Sequence, residues 1–238
     1  MEAFVGTSGY AYDFWKGEFY PESIKSDEML GFYAARFSTV EINNTFYRIP
    51  KRDVVVRWVD SVPESFRFVI KASRRITHVG RLGDVKDSLD YMLGQLEPLR
   101  GRCGPLLVQC PPTLRKDTER LKRFLSWVPE PWEVAMEFRH ASWADDDVYD
   151  VLRNANAGWV INDDDSDDPP MTRTAPFSLM RLRLGEYPAP ARDRWARNIT
   201  GSFERAYVFF KHEHRAAVLA AELRDAIAEI QSEIGGAG

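Results

Sequence analysis

The sequence predicts a (β/α)8 barrel of TIM type, and three observations predict it. Eight short apolar runs alternate with longer amphipathic segments, the pattern of βα units around a parallel sheet. The 238 residues suit eight such units in one domain, 1–238, whereas an open doubly wound sheet uses fewer strands and needs a crevice where the strand order reverses. No Ser/Gly-rich linker or short repeat divides the chain.

The strand-like runs are AFVGT (3–7), STVEIN (38–43), RFVIKA (67–72), PLLVQC (105–110), EVAMEF (133–138), GWVIND (158–163), SLMRLRL (178–184) and AYVFFK (206–211). Between most of them lies a helix with an apolar stripe, as in Val85, Leu89, Met92, Leu96 and Leu99, or Leu219, Leu223, Ile227 and Ile230. These stripes read as core packing. NDDDSDDPPMTRTAP (162–176) leaves no room for a full helix, so one helix is expected to be missing or shortened between the sixth and seventh strands. An aromatic-rich loop, 8–26, follows the first strand, and the closing GGAG places residues 234–238 in an expected flexible tail. Both irregular loops follow strand C-termini, the face on which such barrels carry their sites.

Composition narrows the function classes. No run approaches the roughly 18 apolar residues of a membrane helix, and MEAFVGTSGY lacks the basic start and apolar stretch of a signal peptide. A cytoplasmic protein with no membrane partner is the expectation. Cys103 and Cys110 lack zinc or disulfide-framework spacing and read as two reduced thiols. A net charge of -4 gives no global attraction for nucleic acid, so any anion site must be local.

Strand alternation locates that site. In a barrel one strand side faces the helices and is apolar, while the other faces the interior and turns polar only toward the C-terminal mouth. Val40 and Ile42 take the helix side, so Glu41 and Asn43 point inward. The same parity turns Lys71, Gln109, Glu137, Arg139, Arg181, Arg183 and Lys211 inward, and for the weaker sixth strand it suggests Asp163. Five positive and three negative charges thus converge on one layer, a local balance of about +2. Two readings follow: interior salt bridges that plug the barrel, or a site for a small anionic ligand with cations left for a phosphate or carboxylate. The catalytic candidates are Glu41 and Glu137 as general acid or base, with Lys71 and the arginines stabilising negative charge. Glu41 itself reads as general base, metal ligand or counter-ion to Lys71.

GTSGY with Trp15, Gly17 and Tyr20-Pro21 behind it, then VEINNTFYRIP, FRFVIKA with ITHV, GPLLVQCPP, MEFRHASW and VFFKHE, resemble in this order the DUF72 family, also called YecE-like proteins. The resemblance runs from residue 4 to about 225. It implies a TIM-type barrel and leaves the reaction open, because no activity is established for the family. It adds Ser8, Tyr47, His78 and His140 to the binding candidates and marks most of the inward set. The chain departs from the family pattern in FFKHEH, where many relatives carry an asparagine-rich ending, and at Arg183, where a histidine is common.

The remaining motifs are less specific. Four histidines are too few for a histidine-rich trinuclear zinc cluster, a single carboxylate-held Mg²⁺ or Mn²⁺ stays open, and KHEH reads either as a metal signature or as an exposed strand-end loop. The acidic run 163–168 lacks the glycine and glutamate of an EF-hand and reads as a solvated loop. GTSG has the wrong spacing for a dinucleotide or Walker loop, so no cofactor is named. Tyr10, Tyr12, Phe14, Trp15, Phe19 and Tyr20 either stack a base or sugar or pack as a lid. Three function classes remain: a barrel enzyme doing acid/base chemistry on a small anion, metal-assisted cleavage of a nucleic-acid backbone, and a non-enzymatic ligand-binding or sensor barrel.

Overall fold

The computed structural model describes residues 1–164, 166, 168–211 and 214–236. His212 and Glu213 of KHEH, Asp165 and Asp167 of the acidic run, and residues 237–238 lie outside the described residues.

Eight parallel strands alternate with helices. The strands are β1 (Glu2–Ser8), β2 (Thr39–Ile42), β3 (Arg67–Ile70), β4 (Leu106–Cys110), β5 (Val134–Phe138), β6 (Gly158–Asn162), β7 (Phe177–Leu182) and β8 (Arg205–Phe210). The helices are α1 (Met29–Ala34), α2 (Arg52–Asp60), α3 (Lys86–Leu96), α4 (Thr118–Ser126), α5 (Asp146–Asn154), α6 (Ala189–Ser202) and α7 (Ala216–Gly236). Among the described residues no helix intervenes between β6 and β7, where the acidic, proline-containing segment runs. The last helix continues to Gly236, past the expected start of the tail at 234. No described helix is long and apolar enough to cross a membrane.

Sheet order is β3-β2-β1-β8-β7-β6-β5-β4. The ring closes between β3 and β4 through the isolated parallel bridges Phe68↔Cys103 and Lys71↔Leu107, so the barrel is nearly closed and has the (β/α)8 architecture.

Two apolar layers follow from strand alternation. Outward side chains such as Val40, Phe68, Val108, Met136 and Val208 pack against the helices and their stripes. Inward side chains Phe4, Val69, Leu107, Leu179, Tyr207 and Phe209 fill the barrel floor as a separate cluster, with Phe4 and Tyr207 stacked at 4.9 Å. This floor is a packed plug. Above it, toward the strand C-termini, the same inward positions become Ser8, Glu41, Lys71, Gln109, Glu137 and Arg181, a polar layer resting on an apolar base.

Gly6 and Gly9 let β1 reach that layer. A Cβ on Gly6 would stand 2.2 Å from the Thr39 carbonyl oxygen, so only glycine permits the close approach of β1 to β2. Gly9 has φ of +92°, which turns the chain sharply out of the barrel beside the Tyr12 ring.

Candidate active site at the barrel mouth

Arg181, projecting inward from β7, is the centre of the polar layer and is 2% exposed. Its Nε donates to Glu41 Oε2 at 2.9 Å and its Nη2 to Glu41 Oε1 at 2.8 Å, while Nη1 reaches Glu137 Oε2 at 2.8 Å. The planar fork thus spans the barrel and ties β2 to β5. Glu41 Oε1 accepts further hydrogen bonds from Ser8 Oγ at 2.8 Å and Asn43 Nδ2 at 2.7 Å. Burial opposes the charge on Glu41, but Arg181, Ser8 and Asn43 outweigh it and hold its carboxyl below the usual carboxylate range.

Glu137 Oε1 faces the rim, where Arg139 and Arg183 both reach it, the latter at 3.4 Å. The same two arginines close on Asp164. Burial resists the Asp164 charge, and the two guanidiniums overcome it and lower its carboxyl. Three arginines therefore meet three carboxylates.

Lys71, just past the end of β3, differs. Its Nζ donates to the neutral Gln109 Oε1 at 2.7 Å and lies 4.6 Å from the centre of the Phe46 ring. It makes no ion pair among the described residues. Burial, then repulsion from Arg181, brings its ammonium down from 10.5 to about 8. Thr45 fixes this corner by donating to the Lys71 carbonyl at 2.7 Å. Lys211, beyond β8, likewise has no ion pair with the described residues, and burial with the nearby Arg181 and Arg183 lowers its ammonium. His78 lies in the π-helical turn Arg75–Val79, its Nδ1 2.8 Å from Thr77 Oγ1 and its ring 4.9 Å from Phe46. Burial and the charges of Lys71 and Arg74 lower its basicity, favouring the neutral imidazole.

The sequence-derived set separates accordingly. Ser8, Glu41, Asn43, Glu137, Arg139, Arg181 and Arg183 form one connected network, and Lys71, Gln109 and His78 line one side of the mouth with Phe46. Tyr47 stands 75% exposed against Phe46 on the rim.

Further contacts define the remaining candidates. Glu41 and Glu137 are 0% exposed, with every carboxylate oxygen engaged by arginine. His140 Nδ1 accepts the Ser142 N–H at 3.1 Å and caps the turn Ala141–Trp143. Asp163 is on the wrong side of its strand. The pairing Asn162↔Arg181 puts Val160 and Asn162 inside, leaving Asp163 to accept from Arg183 N at 2.8 Å and from the Tyr187 hydroxyl on the helix side. Burial raises the Asp163 carboxyl despite these bonds. The mouth carboxylate from this strand is its neighbour Asp164, which counting by twos from Val160 would have found.

With this geometry in view, the comparisons with known proteins are informative. The family model described as "Protein of unknown function DUF72" matches residues 4–235. The chain belongs to the DUF72 family. Two relatives in the family's UPF0759 group are YecE of Escherichia coli K12, 34% identical over 109 residues, and YunF of Bacillus subtilis, 28% identical over 153 residues. These matches cover 45% and 59% of this chain, and the chain spans 40% of YecE and 54% of YunF. The crystal structure of a DUF72 family protein from Thermotoga maritima superposes with a TM-score of 0.82 at 26% identity, covering 96% of this chain and 100% of that one. DUF72 membership and the barrel therefore agree from independent directions, and the chemistry of the mouth is left to its own residues.

Proposed function

We propose that this DUF72 barrel binds a small phosphate- or carboxylate-bearing ligand at its C-terminal mouth and that Lys71 is the group that exchanges a proton with it. One observation carries the reading. The mouth arginines are matched by Glu41, Glu137 and Asp164, while Lys71 and Lys211 have no carboxylate partner among the described residues, so the layer holds about two uncompensated positive charges. An ammonium poised at about 8 is partly neutral near physiological pH and suits both anion contact and acid/base work. Among the described residues no three His, Cys, Asp or Glu side chains converge on a metal position, so no observation favours metal-assisted phosphodiester cleavage.

The test is a titration of the lysine side chains by NMR, with inorganic phosphate as probe. Lys71 is expected to titrate near 8 and to shift upward when phosphate binds, and Lys71→Gln to weaken phosphate about tenfold or more, the size of one charge-assisted hydrogen bond. A Lys71 resonance indifferent to saturating phosphate would overturn the proposal.

A further inference from the structure

We infer that the ligand of this mouth carries a planar ring beside its anionic group, and that the ring rests in the cleft between the first loop and the end of β8. The inference rests on the anion-binding reading above. A cleft of about 540 Å³, lined by Ser8, Tyr12, Phe14, Lys211 and His214, opens beside the polar layer. That volume lies within the range of small-molecule sites.

Its chemistry is divided. One wall is aromatic: Phe14 stacks on Tyr12 with centroids 5.0 Å apart and planes at 25°, and the His214 ring lies 5.1 Å from Phe14. Phe14 nonetheless remains 42% exposed, an apolar ring left partly in water inside a concavity. The other wall is polar. Lys211 brings a cation with no ion pair to the described residues, and Ser8 links the cleft to Glu41 and thence to Arg181. The aromatic wall is held in place, because the Tyr12 hydroxyl donates to the Ser8 carbonyl and the glycine at position 9 leaves room for that phenol; a Cβ there would lie 2.4 Å from Tyr12 Oη. An aromatic face and an ammonium within one cleft match a ring and an anion within one molecule. The shared chemistry is an aryl or heteroaryl group joined to a phosphate or a carboxylate.

Binding of inorganic phosphate, phenyl phosphate and benzoate to the full chain tests this by calorimetry. Phenyl phosphate should bind about tenfold more tightly than inorganic phosphate, the size expected of one stacked ring. Phe14→Leu, which keeps apolar bulk and removes the π face, should bring that ratio close to one, with near-UV circular dichroism verifying the fold. Phenyl phosphate against benzoate decides which anionic group is preferred. Equal affinity for phenyl and inorganic phosphate, or a ratio unchanged by Phe14→Leu, overturns the ring subsite and leaves the anion site standing. Failure of every anion to bind overturns both.

Discussion

At the scale of single residues, Arg181 and Lys71 represent opposite outcomes of burying a cation. Arg181 is enclosed but spends its fork on two carboxylates, whereas Lys71 is half-buried with only an amide oxygen to accept from it. Removing Arg181 leaves Glu41 buried with no ion-pair partner among the described residues, and leaves Glu137 with Arg139 and Arg183 on one oxygen alone. Arg181→Met should therefore cost about 3–5 kcal/mol in chemical denaturation, and a loss under about 1 kcal/mol would show that the network contributes little. The pH signs differ too. The Glu41 carboxyl is lowered on folding, so its contribution is full above its unfolded value and fades as pH falls through the folded one. Lys71 is also lowered, to about 8 from 10.5: the unfolded chain holds this proton more tightly, so its contribution grows as pH rises across that interval. Anion contact through Lys71 weakens over the same interval.

At the scale of elements, β1, α1 and β2 lock around Tyr33, whose hydroxyl accepts from Thr7 N at 2.9 Å and donates to the Thr39 carbonyl at 3.0 Å. Gly6 sits inside this junction. Gly6→Ala would press a methyl group against the Thr39 carbonyl and the Tyr33 hydroxyl, neither of which can move without opening the β1–β2 ladder. The expected cost is about 1–3 kcal/mol, read in a thermal melt as roughly 2–4 °C per kcal/mol; an unchanged melting temperature would mean that the strands yield. Elements also decided where sequence reading succeeded. β2 alternates polar with apolar side chains, as does the run Met180–Leu184 at the end of β7, so Glu41 and Arg181 are turned inward by the pattern alone. β6 ends at Asn162 and is followed by Asp163 and Asp164, three polar residues in a row that offer no contrast from which to set the phase, so the pattern points to Asp163 where the fold puts Asp164.

At the scale of the whole molecule, the barrel is closed by isolated bridges at the seam between β3 and β4. β1 pairs with β8 along six residues and β7 with β8 along six, β1–β2 and β5–β6 pair along two each, and among the described residues β3 and β4 meet through isolated bridges alone. Hydrogen exchange should release amides along that seam before those of the β1–β8 ladder; uniform protection around the ring would contradict this. Lys71 lies on this seam through its bridge to Leu107. The eight strands, the short connection before β7 and the polar character of the strand ends are legible in the sequence, because alternation and amphipathic spacing are local properties written in consecutive residues. Which charges meet is settled by barrel closure. Arg181 is 140 residues from Glu41 and 44 from Glu137. Barrel closure brings all three together, and that pairing consumes the glutamates while leaving Lys71 and Lys211 without a carboxylate among the described residues. Charge pairing depends on distances between strands, which no run of neighbouring residues encodes.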